Sequence, residues 1–187
     1  VPYDPRIGTT LSSHEVALGY KEVQDPSVTV RFPLQGEPGT SFLVWTTTPW
    51  TLPANLALAV GPEIDYVFAE LESGVFAELD GAKKETLILA EARREAVLGD
   101  KPHRVVRTVK GRELLGLRYR RPFDYLSADG DCWRVLPADF VSTGDGTGIV
   151  HIAPAYGADD LALARAHGIP VVHGVGLAGY FLPAVKP

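Results

Sequence analysis

Two short segments of this chain concentrate side chains able to do chemistry. In Trp45-Thr-Thr-Thr-Pro-Trp-Thr-Leu-Pro-Ala-Asn55, three consecutive threonines leave an apolar run. Pro49 and Pro53 then stiffen the backbone against continuing as helix or sheet. Hydroxyls and an amide both donate and accept hydrogen bonds, so a rigid loop carrying Thr46, Thr47, Thr48 and Asn55 suits a small polar ligand. The same threonines would serve equally as β-branched strand residues, and Asn55 as a turn or cap residue.

The second segment is Gly144-Asp-Gly-Thr-Gly-Ile-Val-His-Ile-Ala-Pro-Ala-Tyr-Gly-Ala-Asp-Asp160. It reads as glycine turn, strand, proline-broken loop and helix start. No Gly-Lys-Ser/Thr follows the glycines, so they make a tight turn and not a Walker-type phosphate loop. His151 lies on the strand, either as a hydrogen-bonded core histidine or as a site residue. The loop can return Asp160 to the same neighbourhood. Of the acidic pair Asp159-Asp160, one carboxylate would cap the helix while the other faces a ligand's ammonium group.

Other templates fail. The five histidines lack zinc spacing, and Cys132, the single cysteine, sits in no nucleophile motif and excludes an internal disulfide. No metal site is expected. One cysteine fits a reducing compartment, so a cytoplasmic setting is expected.

The elements that must position these groups are short and punctuated by 19 Gly and 15 Pro. Strands are predicted at Val28–Phe32, Ser41–Thr46, Leu56–Val60, Arg104–Val109 and Gly148–Ile152. A hairpin is predicted from Tyr66–Leu71 and Val75–Leu79 around Glu72-Ser-Gly74. Glu85–Leu98 reads as a helix ended by Gly99, and Asp159–His167 as a second, short helix. Many short strands with few helices predict an α+β domain centred on a closed or nearly closed β-barrel. Residues 1–13 and 174–187 are Gly/Pro-rich and read as linker arms of a single domain.

Composition bounds the class. The chain has 187 residues, 45% hydrophobic and 22% charged, which is too apolar for disorder. No run approaches the roughly 18 apolar residues of a membrane span, and the N-terminus has no signal-peptide layout. The absence of methionine, even at position 1, reads as a segment cut from a longer protein. Net charge is −5, yet Arg93–Arg121 carries ten Lys/Arg against three acids, and the remainder 8 against 20. A local basic stretch on an acidic body is either a mixed solvated face or a phosphate contact.

Together the two segments resemble the editing domain of isoleucyl-tRNA synthetases, the insertion that interrupts their nucleotide-binding catalytic fold. Thr46–Asn55 is similar to that family's threonine-rich motif, and Gly146–Asp160 to its second motif nearly residue for residue. Leu11–Val16, Gly19–Glu22, Gly116–Tyr119 and Pro122-Phe123 extend the likeness along nearly the whole chain. The valyl and leucyl relatives carry Thr-Thr-Arg-Pro in the first motif, so Thr48-Pro49-Trp50 points to the isoleucyl branch. Some relatives are expected to have Cys where Asp4 and Ile7 stand, which removes any metal site from the N-terminal arm.

The resemblance implies hydrolysis of valine wrongly attached to the tRNA for isoleucine, and of valyl-adenylate. A single methylene changes binding by only about 1–3 kcal/mol, a limit for which this synthetase family is itself the standard illustration. A second, smaller pocket must therefore admit valine and exclude isoleucine. Carried over by position, Asp160 pairs with the substrate's α-ammonium, and Trp50 and His151 line the side-chain pocket. Thr46, Thr47 and Thr48 hold the terminal adenosine and ester carbonyl and place a water, with Asn55 supporting their loop. Arg93, Arg94, Arg104 and Arg107 are the expected RNA contacts. The implied partners are the 3′ end of the tRNA and the rest of a parent synthetase, with no membrane and a monomeric state. No cofactor is implied for this domain, ATP and Mg²⁺ being needs of a synthetic site whose signatures the chain lacks. Editing of another amino acid, or tRNA binding without catalysis, are the alternative readings.

Overall fold

The apolar runs alternate between two buried faces, and that alternation builds the fold. The structure, a computed structural model, describes residues 3–22, 24–72 and 85–186. Strands β1 (Tyr3–Asp4) and β2 (Thr9–Thr10) form a small hairpin, followed by helix α1 (Ser13–Leu18). Ser12 and Glu15 close a reciprocal capping box at the start of α1. Then come β3 (Val28–Pro33), β4 (Thr40–Thr46), a 3₁₀ turn over Pro49–Ala54, β5 (Ala57–Val60) and β6 (Asp65–Leu71). After them follow β7 (Glu85–Ala90), α2 (Arg94–Leu98), β8 (His103–Lys110), β9 (Val135–Pro137), β10 (Ile149–Ile152) and α3 (Ala158–Ala166).

Five strands pair in the order β3-β4-β7-β6-β8, with β4 and β7 parallel and the other neighbours antiparallel. Three more pair as β10-β5-β9, antiparallel and then parallel. Phe42 and Val44 of β4, Tyr66 and Phe68 of β6 and Ile88 of β7 point to one side, where they meet Leu58, Val60 and Ile149 of the smaller sheet. Their chain neighbours Leu43, Val67, Leu87 and Leu89 point to the other side and pack with Leu98 of α2. Ala57 and Ala59 of β5 likewise turn away from the central core and pack with Leu136, Ile152 and Ala164 of α3. Side chains that alternate along every strand thus fill three layers, and each large one contributes about 1.5–3 kcal/mol by burial.

The mixed class, the strand positions and the short C-terminal helix agree with the sequence. Two expectations change. The described strands lie in two principal sheets and form no closed barrel. Glu85–Ala90 is a strand, because Leu87 and Leu89 face one core and Ile88 and Ala90 the other. Helix formation is confined to the residues after Ala90, and Gly99 (φ +55°) ends α2 as anticipated. The second strand of the expected hairpin, Val75–Leu79, lies outside the described residues. Both expected arms hold local structure, the C-terminal one a bridge between Val175 and Phe181. Among the described residues no helix is long and apolar enough to cross a membrane.

The two sheets are stitched together at Gly148. Its carbonyl accepts the Tyr66 hydroxyl at 2.7 Å, and the Ala90 N–H donates to Thr147 at 2.9 Å. Gly148 has φ +76°, and a Cβ there would stand 2.4 Å from the Ala90 Cβ, an atom fixed in β7. Gly168, after α3, has φ +67° but open space around it. Gly148→Ala is therefore expected to destabilise the fold by about 2 kcal/mol or more, and Gly168→Ala by about half that. Urea midpoints of the two variants check this. Equal shifts would mean that the approach of β7 to Gly148 carries no cost.

Candidate functional site

Thr46 ends β4 in the larger sheet, and the Pro49–Ala54 turn delivers the chain to β5 in the smaller one. β10 lies beside β4 and pairs with β5, placing His151 opposite Leu58. The loop after β10 then leads into α3, which starts at Ala158. The threonine loop, His151 and the start of α3 are thereby gathered around one cavity of about 290 Å³. Thr46, Thr47, Thr48, Trp50, His151 and Asp160 all line it, as do Trp45, Thr51, Val150, Ala153 and Tyr156.

The wall is held by a directed chain of hydrogen bonds. Asn55 Nδ2 donates to the Ala57 carbonyl at 2.9 Å, which fixes the orientation of the amide. The same nitrogen lies 3.1 Å from His151 Nδ1, so Nδ1 must accept. The proton of a neutral imidazole is then on Nε2, which donates to Thr51 Oγ1 at 2.7 Å. Thr51 Oγ1 passes its own hydrogen to the Thr48 carbonyl at 2.8 Å. At the other end the Tyr119 hydroxyl donates to Asn55 Oδ1 at 2.7 Å, its pKa held well above the ordinary value by burial. Trp133 Nε1 donates to the Asn55 carbonyl at 3.1 Å.

Burial lowers the His151 pKa to about 4, so the ring is neutral at ordinary pH. With both nitrogens engaged in the wall, His151 shapes the cavity and is not a free base. Thr46 Oγ1 accepts from the Thr48 N–H at 3.1 Å and lies 3.3 Å from Thr48 Oγ1, ordering the turn out of β4. The carboxyl of Asp160 is pushed up to about 6, first by burial and then by the neighbouring Asp159. Asp160 is the one ionisable carboxyl among the cavity's lining residues. Trp50 is half exposed and meets Tyr156 edge-on, ring centroids 5.1 Å apart.

The structure thus brings together every expected catalytic residue. Asn55, expected at the substrate, stands behind the wall and is 1% exposed. Neither Asp159 nor Asp160 caps α3: the cap position is Gly157, Asp159 is exposed, and Asp160 is in the first turn. Thr51, Tyr119 and Tyr156 were not singled out from sequence. Thr51 and Tyr156 lie inside the two quoted segments, so proximity in sequence was the available signal. Tyr119 ends the quoted Gly116–Tyr119 match, but nothing in that match signalled its reach to Asn55, 64 residues away.

Much of the basic stretch is engaged within the fold. Arg93 donates to the Gly146 and Gly144 carbonyls at 2.9 and 3.0 Å, pinning the turn before β10. Arg94 pairs with Glu91 at 3.3 Å and Arg104 with Glu70 at 2.9 Å, while Arg107 lies over the Phe68 ring. Lys110, Arg112 and Arg118 pair with Asp65, Glu63 and Asp131. Acids elsewhere in the chain therefore neutralise much of the local excess. Among the described residues no group of three or more His, Cys, Asp or Glu could hold a metal ion.

The chain and its fold have relatives among known proteins. The chain is 49% identical over 187 residues to the isoleucine–tRNA ligase of Thermus thermophilus, covering 97% of the chain and 17% of that protein. It is 42% identical over 187 residues to that of Clostridium tetani, covering 100% and 17%, and 49% over 183 residues to that of Thermobifida fusca, covering 96% and 16%. The chain thus spans about one sixth of the length of these curated relatives. Its fold is similar to the P. knowlesi cytosolic leucyl-tRNA synthetase editing domain, with TM-score 0.59, 14% identity and coverage of 79% and 64% of the two chains. A P. falciparum counterpart gives TM-score 0.51 and 18% identity, covering 68% and 46%. No family model matches the chain.

The hydrogen-bond chain has two measurable consequences. Asn55→Leu leaves the Tyr119 hydroxyl and His151 Nδ1 unpaired in the interior, with an expected loss of about 2–4 kcal/mol in a denaturant titration. In ¹⁵N NMR, His151 is expected as the Nε2–H tautomer down to about pH 4. The unfolded chain binds that proton near pH 6.5. Between these values the unfolded state therefore holds more protons, and His151 makes stability fall as pH falls from about 6.5 to about 4. A His151 ring protonated at pH 6 would contradict the assignment.

Proposed function

The chain is homologous along its length to one segment of the isoleucine–tRNA ligases and has the fold of a synthetase editing domain, and on that premise we propose that it hydrolyses valine esterified to the tRNA for isoleucine. The observation that carries this reading is one carboxylate, Asp160, in a cavity otherwise lined by threonines, the neutral His151, and aromatic and aliphatic groups. An α-ammonium is the part of an aminoacyl ester that requires such a partner, and burial strengthens the pair. The volume of about 290 Å³ is at the small end of the roughly 300–1,000 Å³ of small-molecule sites.

In this reading Trp50 and His151 bound the amino-acid side chain, and Thr46, Thr47 and Thr48 receive the ester and terminal ribose. The Thr46 and Thr48 hydroxyls are paired with each other and His151 is committed to Thr51 and Asn55, so none is poised as a nucleophile. Attack by water ordered on the threonine loop is the reading that these pairings favour. Catalysis then comes from positioning and from dipoles aimed at the developing oxyanion. Valyl-adenylate, which presents the same α-ammonium, is a second substrate under this proposal. Arg104 and Arg107, on the exposed edge strand β8, are the proposed contacts to the tRNA backbone. Arg93 is held in the turn it supports.

Removing one member of a buried charge pair costs about 2–5 kcal/mol. Asp160→Ala is therefore expected to lower kcat/KM for deacylation of valyl-tRNA of the isoleucine type by roughly 30-fold or more. Asp160 must be ionised to hold the ammonium, so kcat/KM of the wild type is expected to fall as pH drops through about 6. The Asp160→Asn variant should lack that limb. An unchanged rate in Asp160→Ala would remove Asp160 from the site. Salt-sensitive tRNA binding with no hydrolysis would favour the non-catalytic reading, and a panel of mischarged tRNAs separates valine from other amino acids.

A further inference from the structure

Tyr156 joins the cavity to a part of the chain that neither motif contains. Its ring lines the cavity and meets Trp50 edge-on, with centroids 5.1 Å apart and planes at 72°. On its other side His173 approaches at 6.4 Å and 84°, which makes a series of three rings. The Tyr156 hydroxyl accepts two backbone N–H groups, from Gly174 at 2.7 Å and Val175 at 3.0 Å. That segment is itself clipped: Leu182 N–H donates to Gly174 at 2.8 Å and Gly176 N–H to Tyr180 at 2.9 Å. A Cβ on Gly174 would stand 3.6 Å from the Tyr156 hydroxyl oxygen, so the phenol lies against that backbone.

A ring restrained at both its edge and its hydroxyl is a rigid wall, and a rigid wall is what discrimination by size requires. Trp50 alone does not supply one, because it is half exposed and itself rests edge-on against Tyr156. We propose that Tyr156 is a specificity-determining residue of this cavity, its ring setting the space for the amino-acid side chain and its hydroxyl holding that ring on the Gly174-Val175 backbone. The proposal rests on the editing reading and assigns the size limit of that site. It also makes residues 173–175 part of the site, although they are more than a dozen positions beyond Asp160.

The test is binding, measured by calorimetry with non-hydrolysable valyl- and isoleucyl-adenosine analogues, so that no catalytic step enters. The wild type is expected to prefer the valyl analogue. In Tyr156→Leu the ratio of the two affinities should fall by about tenfold, mainly through tighter binding of the isoleucyl analogue. Tyr156→Phe keeps the ring but loses the acceptor, and should lower the ratio by a few-fold. Tyr156→Phe also covers the case in which the leucine variant does not fold. A wild-type preference retained in both folded variants would overturn the proposal alone. A wild type that binds neither analogue would overturn the editing reading and this proposal with it. A ratio that collapses without tighter isoleucyl binding would also count against it, because lost packing and not released space would then be the cause.

Discussion

The site depends on Asn55, a buried amide with every polar atom engaged. It touches the turn before β5 through its own N–H, the start of β5 through Ala57, β10 through His151, and the more distant chain through Tyr119 and Trp133. An amide in the interior without partners would cost several kcal/mol. The structure satisfies it by bringing four parts of the chain together, and this same convergence shapes the cavity. Because the Ala57 carbonyl can only accept, the amide orientation, the imidazole tautomer and the direction of the Thr51 hydroxyl follow in sequence. One backbone carbonyl thus sets the polarity of a wall several residues long.

That wall explains the electrostatic character of the cavity. His151 is neutral, the Thr46, Thr48 and Thr51 hydroxyls are turned toward each other and toward the backbone, and the charge among the lining groups comes from Asp160. In a low-dielectric setting one carboxylate attracts a cation strongly and is itself costly to ionise when empty. The raised pKa of Asp160 is the signature of this cost. A ligand ammonium relieves it. In the proposed reading, selectivity for a charged head and restriction of a side chain are therefore separate tasks, one assigned to the start of α3 and the other to the aromatic edge of the cavity.

Much of this was legible in the sequence, for reasons that are local. The Thr-Thr-Thr-Pro run must turn, the glycines before β10 must bend, and an acidic pair at a helix start must face outward or inward. The fold agreed at the first two of these places, whereas at the third Gly157, and neither aspartate, holds the cap position of α3. The helix expected over Glu85–Leu98 failed because Leu, Ala and Glu have high helix propensity, while tertiary burial on two faces made Glu85–Ala90 a strand. The basic stretch from Arg93 to Arg121 was real in composition, but Glu63, Asp65, Glu70 and Asp131 come from outside it and answer it in space. Tyr119 and the seat of the Tyr156 hydroxyl on Gly174 depend on long-range closure, which no local pattern encodes.

The central claim is that Asp160 and the threonine loop together receive an aminoacyl ester end. A crystal structure of the chain with a non-hydrolysable valyl-adenosine analogue tests it most directly. The account requires the α-ammonium within hydrogen-bonding distance of the Asp160 carboxylate, the ester mimic against Thr46–Thr48, and the valyl side chain between Trp50 and His151. A ligand bound elsewhere, or seated in the cavity with its ammonium turned away from Asp160, would contradict it.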